Sequence, residues 1–204
     1  MMPDPAAPQV LCLCLDVNVL IADFLARRKG GSGGASSRLV DMVRDRLCAL
    51  GPVQMVVSWR MLTTLRIVLQ RDFQVSDEAA RAICDLLAAA AEFGPLNTPP
   101  LLTLGGTGLP PMQDAEDAGV AETALTGGAH LLVTHDLDDF EAGPKSRLRT
   151  RRLLSRPDGK AGALLICDAA KGNLLAAIPA LEIGWLRGQT KPPLDVLRYR
   201  AAPG

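Results

Sequence analysis

Apolar and polar residues along this chain are sorted into short, unbroken apolar runs separated by longer stretches of helical spacing. Val10-Leu-Cys-Leu-Cys-Leu15 is apolar throughout, as expected of a strand buried on both faces of a parallel sheet. Val17 to Arg28 then reads as a helix, and Lys29 to Ser37, which includes Gly-Gly-Ser-Gly-Gly, as a flexible loop. Ser36 or Ser37 can cap a helix running to about Leu50, where Gly51-Pro52 would stop it. Val53 to Val57 is a second strand, and Ser58 caps a helix from Trp59 to Gln70. Ser76-Asp-Glu78 opens a further helix, with acids in the first turn to match the helix dipole, ending at Gly94-Pro95. Asn97 to Met112 is rich in Pro and Gly and reads as loop. Asp114 begins a helix that ends at Gly127-Gly128, and Ala129 to Thr134 is a strand. Ala163 to Cys167 is the last clear strand, followed by a helical stretch. Strands alternating with helices predict an α/β chain with a parallel sheet and helices on both faces.

In organisation, residues 1–9 read as a disordered lead-in, 10–180 as one domain with a basic insertion at 143–162, and 181–204 as a broken C-terminal tail. The 204 residues are 48% apolar, enough for one full core. Formal net charge is zero, so overall charge favours neither nucleic acid nor membrane, but its distribution is uneven. Eight acids and no Lys or Arg lie between Asp114 and Glu141; six basic residues and no acid lie between Lys145 and Arg156. An acidic cluster followed at once by a basic run suits a metal site beside a polyanion track, and equally a solvated loop. The five cysteines are scattered among apolar neighbours without zinc spacing, which reads as buried thiols in a reducing, cytoplasmic compartment. No signal peptide or membrane span is expected.

The candidate chemistry lies in carboxylates placed where strands end. Asp16 closes the first apolar run, and Asp136, followed by Asp138 and Asp139, closes Leu131-Leu-Val-Thr134. Asp114-Ala-Glu-Asp117 heads a helix between them. Carboxyl ends of parallel strands are where open α/β sheets bind ligands. Converging carboxylates do not stay ionised without a cation, so the pattern points to a hard divalent metal, Mg²⁺ or Mn²⁺. Asp114 and Asp117 also have capping-box spacing, which leaves a helix-cap role open for both.

Three segments together resemble the PIN-domain family of metal-dependent ribonucleases, most closely the VapC-type toxins of bacterial toxin–antitoxin pairs. They are Leu15-Asp-Val-Asn-Val-Leu-Ile21, Val57-Ser-Trp-Arg-Met-Leu-Thr-Thr-Leu65, and Asp114-Ala-Glu-Asp117 through Ala129-His-Leu-Leu-Val-Thr-His-Asp136. The resemblance implies a three-layer α/β/α fold with strand order 3-2-1-4-5. It makes Asp16, Asp117 and Asp136 catalytic metal ligands for Mg²⁺ or Mn²⁺, with Asp139 or Asp138 adding a further acid. Asn18 would orient the first Asp, and Ser58 and Thr64 would contribute hydroxyls. Arg147, Arg149, Arg151 and Arg152 would grip the RNA backbone, and an antitoxin protein and a homodimer are the expected partners.

One position departs from the family pattern: the acid expected six residues after Ser58 is Thr64. A hydroxyl can coordinate a hard cation but brings no charge, so fold is better supported than turnover. A catalytically weakened or inactive PIN-fold module that binds RNA or protein is therefore the alternative. A Ser/His/Asp hydrolase lacks its Gly-x-Ser-x-Gly elbow. A phosphatase of the haloacid-dehalogenase type would need an acid where Asn18 stands.

Overall fold

The computed structural model describes residues 10–102, 115–140, 148–168 and 170–192. Its centre is β1, Leu11–Leu15, buried at all five positions. This strand runs parallel to β3 (Gly51–Val56) on one side and β4 (Leu131–Val133) on the other, with Leu13 opposite both Met55 and Leu131. A fourth parallel strand, β7 (Gly172–Ala177), lies beside β4. Three antiparallel strands complete the sheet: β2 (Leu47–Cys48) on β3, β6 (Ala161–Asp168) on β7, and β5 (Arg149–Ser155) on β6. The order is β2-β3-β1-β4-β7-β6-β5.

A three-layer α/β/α fold with the first strand at the centre is therefore present, but the strand order departs from 3-2-1-4-5 at both ends: the antiparallel β2, which precedes β3 in sequence, lies beyond β3, and β7-β6-β5 lie beyond β4. The strand expected at 163–167 runs antiparallel, and the segment after it, which reads as helical, is β7. Leu174-Leu-Ala-Ala177 is made of good helix formers, yet local turn chemistry and the open slot beside β4 override that propensity. The Asp168 carboxylate accepts from the backbone N–H groups of Ala170 at 2.8 Å and Lys171 at 2.9 Å, an Asx-type turn. Gly172 then takes φ +91°, which a side-chain-bearing residue adopts only under strain, and the chain reverses into a hairpin. In its described part the basic segment at 143–162 forms β5 and the turn into β6, so it is the edge of the sheet. Across the expected boundary at 180 between domain and tail, Pro179–Leu186 forms α6, with Pro at its first turn, packed against α2 (Ala35–Asp45).

The remaining helices are α1 (Val17–Arg28), α3 (Trp59–Arg71), α4 (Asp77–Glu92) and α5 (Ala115–Thr126). Two boundaries differ from the sequence reading. α2 begins at Gly34 without a side-chain cap, so Ser36 and Ser37 sit inside its first turn and are buried. It ends at Arg46, in the left-handed region at φ 58°, and Gly51-Pro52 belongs to β3. Among the described residues no helix is long and apolar enough to cross a membrane.

Two helices form the walls around the carboxyl end of β1. α3 packs against α5, and α5 packs against β1 and β4. Ser58 links these helices. Fully buried, it caps α3 by accepting from the Met61 N–H at 3.3 Å, and its hydroxyl is hydrogen-bonded to that of Thr123 on α5 at 2.9 Å. Ser58→Ala removes the cap and one side of this link. We expect a loss of about 1–2 kcal/mol, measured by urea denaturation, without loss of the fold.

Candidate active site

Asp16 emerges from β1 directly into α1, where it serves as the N-cap. Its backbone N–H donates to Val133 O at 2.9 Å, which extends the β1–β4 pairing by one step. Its carboxylate is 5% exposed and both oxygens are engaged: Oδ1 accepts from the Val17 N–H at 2.6 Å and Oδ2 from the Thr134 hydroxyl at 2.7 Å. Burial raises its pKa from 3.8 to about 6, and the nearby charge of Asp136 raises it further against the lowering effect of those hydrogen bonds.

Thr134 links Asp16 to Asp136. Its Oγ1 accepts from the Asp136 N–H at 3.1 Å and from Asn18 Nδ2 at 3.0 Å. Asn18 also donates to Asp136 Oδ2 at 3.2 Å and accepts from the His135 N–H at 3.2 Å. One amide thus holds the loop after β4 against the start of α1. His135 reaches back to Ser36 in the first turn of α2, with 3.0 Å between Nε2 and Oγ. Burial lowers the His135 imidazole below its usual pKa, opposed by Asp136.

A cavity of about 180 Å³ opens beside Asp16, between α1, α3 and α5. Asp16, Asn18, Thr64 and Asp117 line it, as the sequence pattern leads one to expect. Two further lining residues, Arg60 and Glu116, are not among the sequence candidates. Arg60 was legible in principle, because it lies one helical turn before Thr64 and so shares its face of α3. Ser58 does not face the cavity; it is the structural link between α3 and α5.

The other candidates lie elsewhere. Asp138 and Asp139 sit on a short 3-10 helix, Leu137–Phe140. Asp138 accepts from the Ala161 N–H at 3.0 Å and lies 3.7 Å from Arg152, so it ties this loop to the β5–β6 hairpin. Asp139 is exposed. Arg149, Arg151 and Arg152 are exposed on β5, whereas Arg147 and Asp114 lie outside the described residues. His130 is buried and structural, its Nδ1 accepting from the Cys12 N–H at 2.9 Å.

A divalent ion was expected among Asp16, Asp117, Asp136 and Asp139. Among the described residues, no group of three or more His, Cys, Asp or Glu side chains is gathered closely enough to hold one. Both oxygens of Asp16 already accept hydrogen bonds, Thr64 stands at the acid position, and a guanidinium lines the same cavity. As placed, the described side chains form only part of a donor set for a divalent ion.

What the fold and pocket define is an acid-lined cleft at the carboxyl ends of adjacent parallel strands, on either side of the point where the strand order reverses. The profile of the PIN domain matches residues 12–138, which contain every carboxylate described above up to Asp138. This chain belongs to the PIN-domain family, a nuclease fold whose members generally use divalent metal ions. It matches no curated protein and no solved structure.

The Asp16 environment has a measurable pH signature. Its folded pKa of about 6 lies above the ordinary 3.8, so the folded chain holds this proton more tightly than the unfolded chain. The stabilisation is complete below about pH 4 and is lost as pH rises through about 6. Across that window the stability of the native chain relative to Asp16→Asn should fall by on the order of 3 kcal/mol, read from urea denaturation at successive pH values. A difference that grows with pH would contradict the buried-carboxyl geometry.

Proposed function

We propose that this chain is an RNA-directed PIN protein of the toxin type whose nuclease centre is attenuated. The observation that carries this reading is Thr64 in the acid pocket, at the position where the family pattern has a carboxylate, with Arg60 beside it. Asp16 and Asp117 line the pocket and Asp136 lies outside its lining, hydrogen-bonded to Asn18, so the pocket keeps part of the expected donor set while lacking one charge. RNA is favoured as the ligand by the edge strand β5, which presents Arg149, Arg151 and Arg152 to solvent. This basic strand adjoins the acidic loop, because Arg152 lies 3.7 Å from Asp138, two residues beyond Asp136.

Labelled structured RNA, incubated with Mn²⁺ or with chelator, tests the proposal. The chain should bind RNA and cleave it slowly and only with metal, and Asp16→Ala should remove the residual cleavage. Thr64→Glu should raise the cleavage rate at least about tenfold, since changes around metal ligands shift affinity or activity by roughly 10–100-fold. Equal rates for the native chain and Thr64→Glu would end the attenuated reading. They would favour a fully active Mg²⁺- or Mn²⁺-dependent endoribonuclease, for which Asp16 and Asp117 lining one cavity already speak. In the same assay, replacing Arg149, Arg151 and Arg152 by Ala should weaken binding. It should also flatten the salt dependence by about 0.7 in log–log slope for each phosphate that is no longer neutralised.

The toxin reading also brings protein partners, a small antitoxin and a second copy of the chain. Supporting this is an apolar groove of about 690 Å³ among α1, α2, α3 and α4, where Leu86 and Phe93 are 72% and 59% exposed. A soluble chain that leaves large apolar side chains in such a groove has a surface suited to protein contact. Light scattering should give twice the 21.6 kDa chain mass.

A further inference from the structure

We infer that Arg60 is a tethered cation of the acid pocket, and that its guanidinium competes with a divalent ion for the α5 side of that pocket. The inference rests on reading this pocket as the family's acid site. Three observations carry it. Arg60 is the one basic side chain in the described lining of the cavity, which it shares with Asp16, Glu116 and Asp117. It stands one turn from Thr64 on the same face of α3, so a positive charge lies beside the position that lacks a negative one. Its guanidinium also has a cradle. A Cβ built on Gly119 would lie 3.2 Å from Arg60 Cζ and Nε and 3.3 Å from Nη1. That is tighter than ordinary side-chain packing, and glycine at this position of α5 leaves the room. The cradle is two residues beyond Asp117 and three beyond Glu116 on the same helix.

The electrostatics follow from these positions. An arginine does not lose its proton in a protein, so the charge leaves the pocket only if the side chain swings out. A divalent ion entering beside it meets like-charge repulsion in a half-buried site, where screening by water is incomplete. Arg60, Glu116 and Asp117 each already take part in a polar or electrostatic contact. Thr64 and Arg60 act in the same direction: one removes an acid and the other supplies a counter-charge.

Mn²⁺ titration calorimetry on the full chain tests this without recourse to activity. Arg60→Gln should tighten Mn²⁺ binding at least about tenfold, on the scale of changes next to metal ligands, whereas Arg60→Lys, which keeps the charge, should stay near the native value. Gly119→Ala crowds the guanidinium out of its cradle without touching an acid, and should also tighten binding. Arg60→Gln combined with Thr64→Glu should bind tighter than either single variant. Unchanged affinity in Arg60→Gln overturns the inference, as does tightening in Arg60→Lys equal to that in Arg60→Gln. Should Arg60→Gln fail to fold, unchanged affinity in Gly119→Ala overturns it instead. RNA binding by the native chain is a separate readout: its absence would sink the proposed function while leaving the Mn²⁺ result to stand.

Discussion

The hydrogen bond from the Thr134 hydroxyl to the Asp16 carboxylate, 2.7 Å long and buried, is the contact on which the organisation of this pocket depends. It joins the ends of two adjacent parallel strands where the chain departs from each into a different connection. β1 passes directly into α1 through the Asp16 cap, and β4 passes into the loop carrying His135 and Asp136. Because Thr134 Oγ1 also accepts from the Asp136 and Asn18 N–H groups, one hydroxyl sets the separation of two acids and the start of a helix. A buried carboxylate is costly unless it is hydrogen-bonded, and two hydrogen bonds offset that cost here only in part. The raised pKa of Asp16 is the residue of the imbalance.

The pocket next to this network is shaped by helix packing more than by the sheet. Ser58 and Thr123 lock α3 to α5, and the locked pair brings Arg60 and Thr64 on one helix opposite Glu116 and Asp117 on the other. The contents of the pocket are thus set by which residues occupy a few facing positions on rigid walls. A carboxylate at 64 would complete an acidic ring. A threonine there, with an arginine one turn away, makes the α3 wall positive and the α5 wall negative. The same backbone can then favour an internal ion pair over a bound cation, with no change in fold.

Much of this is legible in the sequence. β1, α1, α3 and α4 follow from apolar runs, caps and turn residues, and Asp16, Asn18, Thr64 and Asp117, singled out by the family resemblance, line one pocket. What escapes a reading of the sequence has physical causes. Asn173 to Ala177 has helical composition, and only the Asx turn at Asp168 and the vacancy beside β4 make it a strand. The basic segment, Arg149-Thr-Arg-Arg-Leu-Leu-Ser155, has no regular apolar alternation, so its pairing with β6 is not announced by a burial pattern. Arg60 and Gly119 are invisible as a pair in the sequence because their relation exists only after α3 meets α5. Ser58, expected at the site, has its hydroxyl turned to the helix junction.

On the proposed reading, holding and cutting RNA would place different demands on this chain, and the two would be separated in space. Backbone phosphates are attracted by charge that reaches solvent, which the arginines of β5 provide at an edge needing no precise alignment. Hydrolysis needs several acids held within fractions of an ångström, and one substitution on α3 is enough to upset it. Asp138 spans the two regions by holding Ala161 of the hairpin and lying near Arg152, so the position of the basic strand is tied to the loop that bears Asp136. That tie, together with the Asp16–Thr134–Asn18–Asp136 network, holds the basic strand in register with the loop after β4. On that reading, a change on α3 alone would weaken the chemistry of the pocket and leave the basic edge strand as it is.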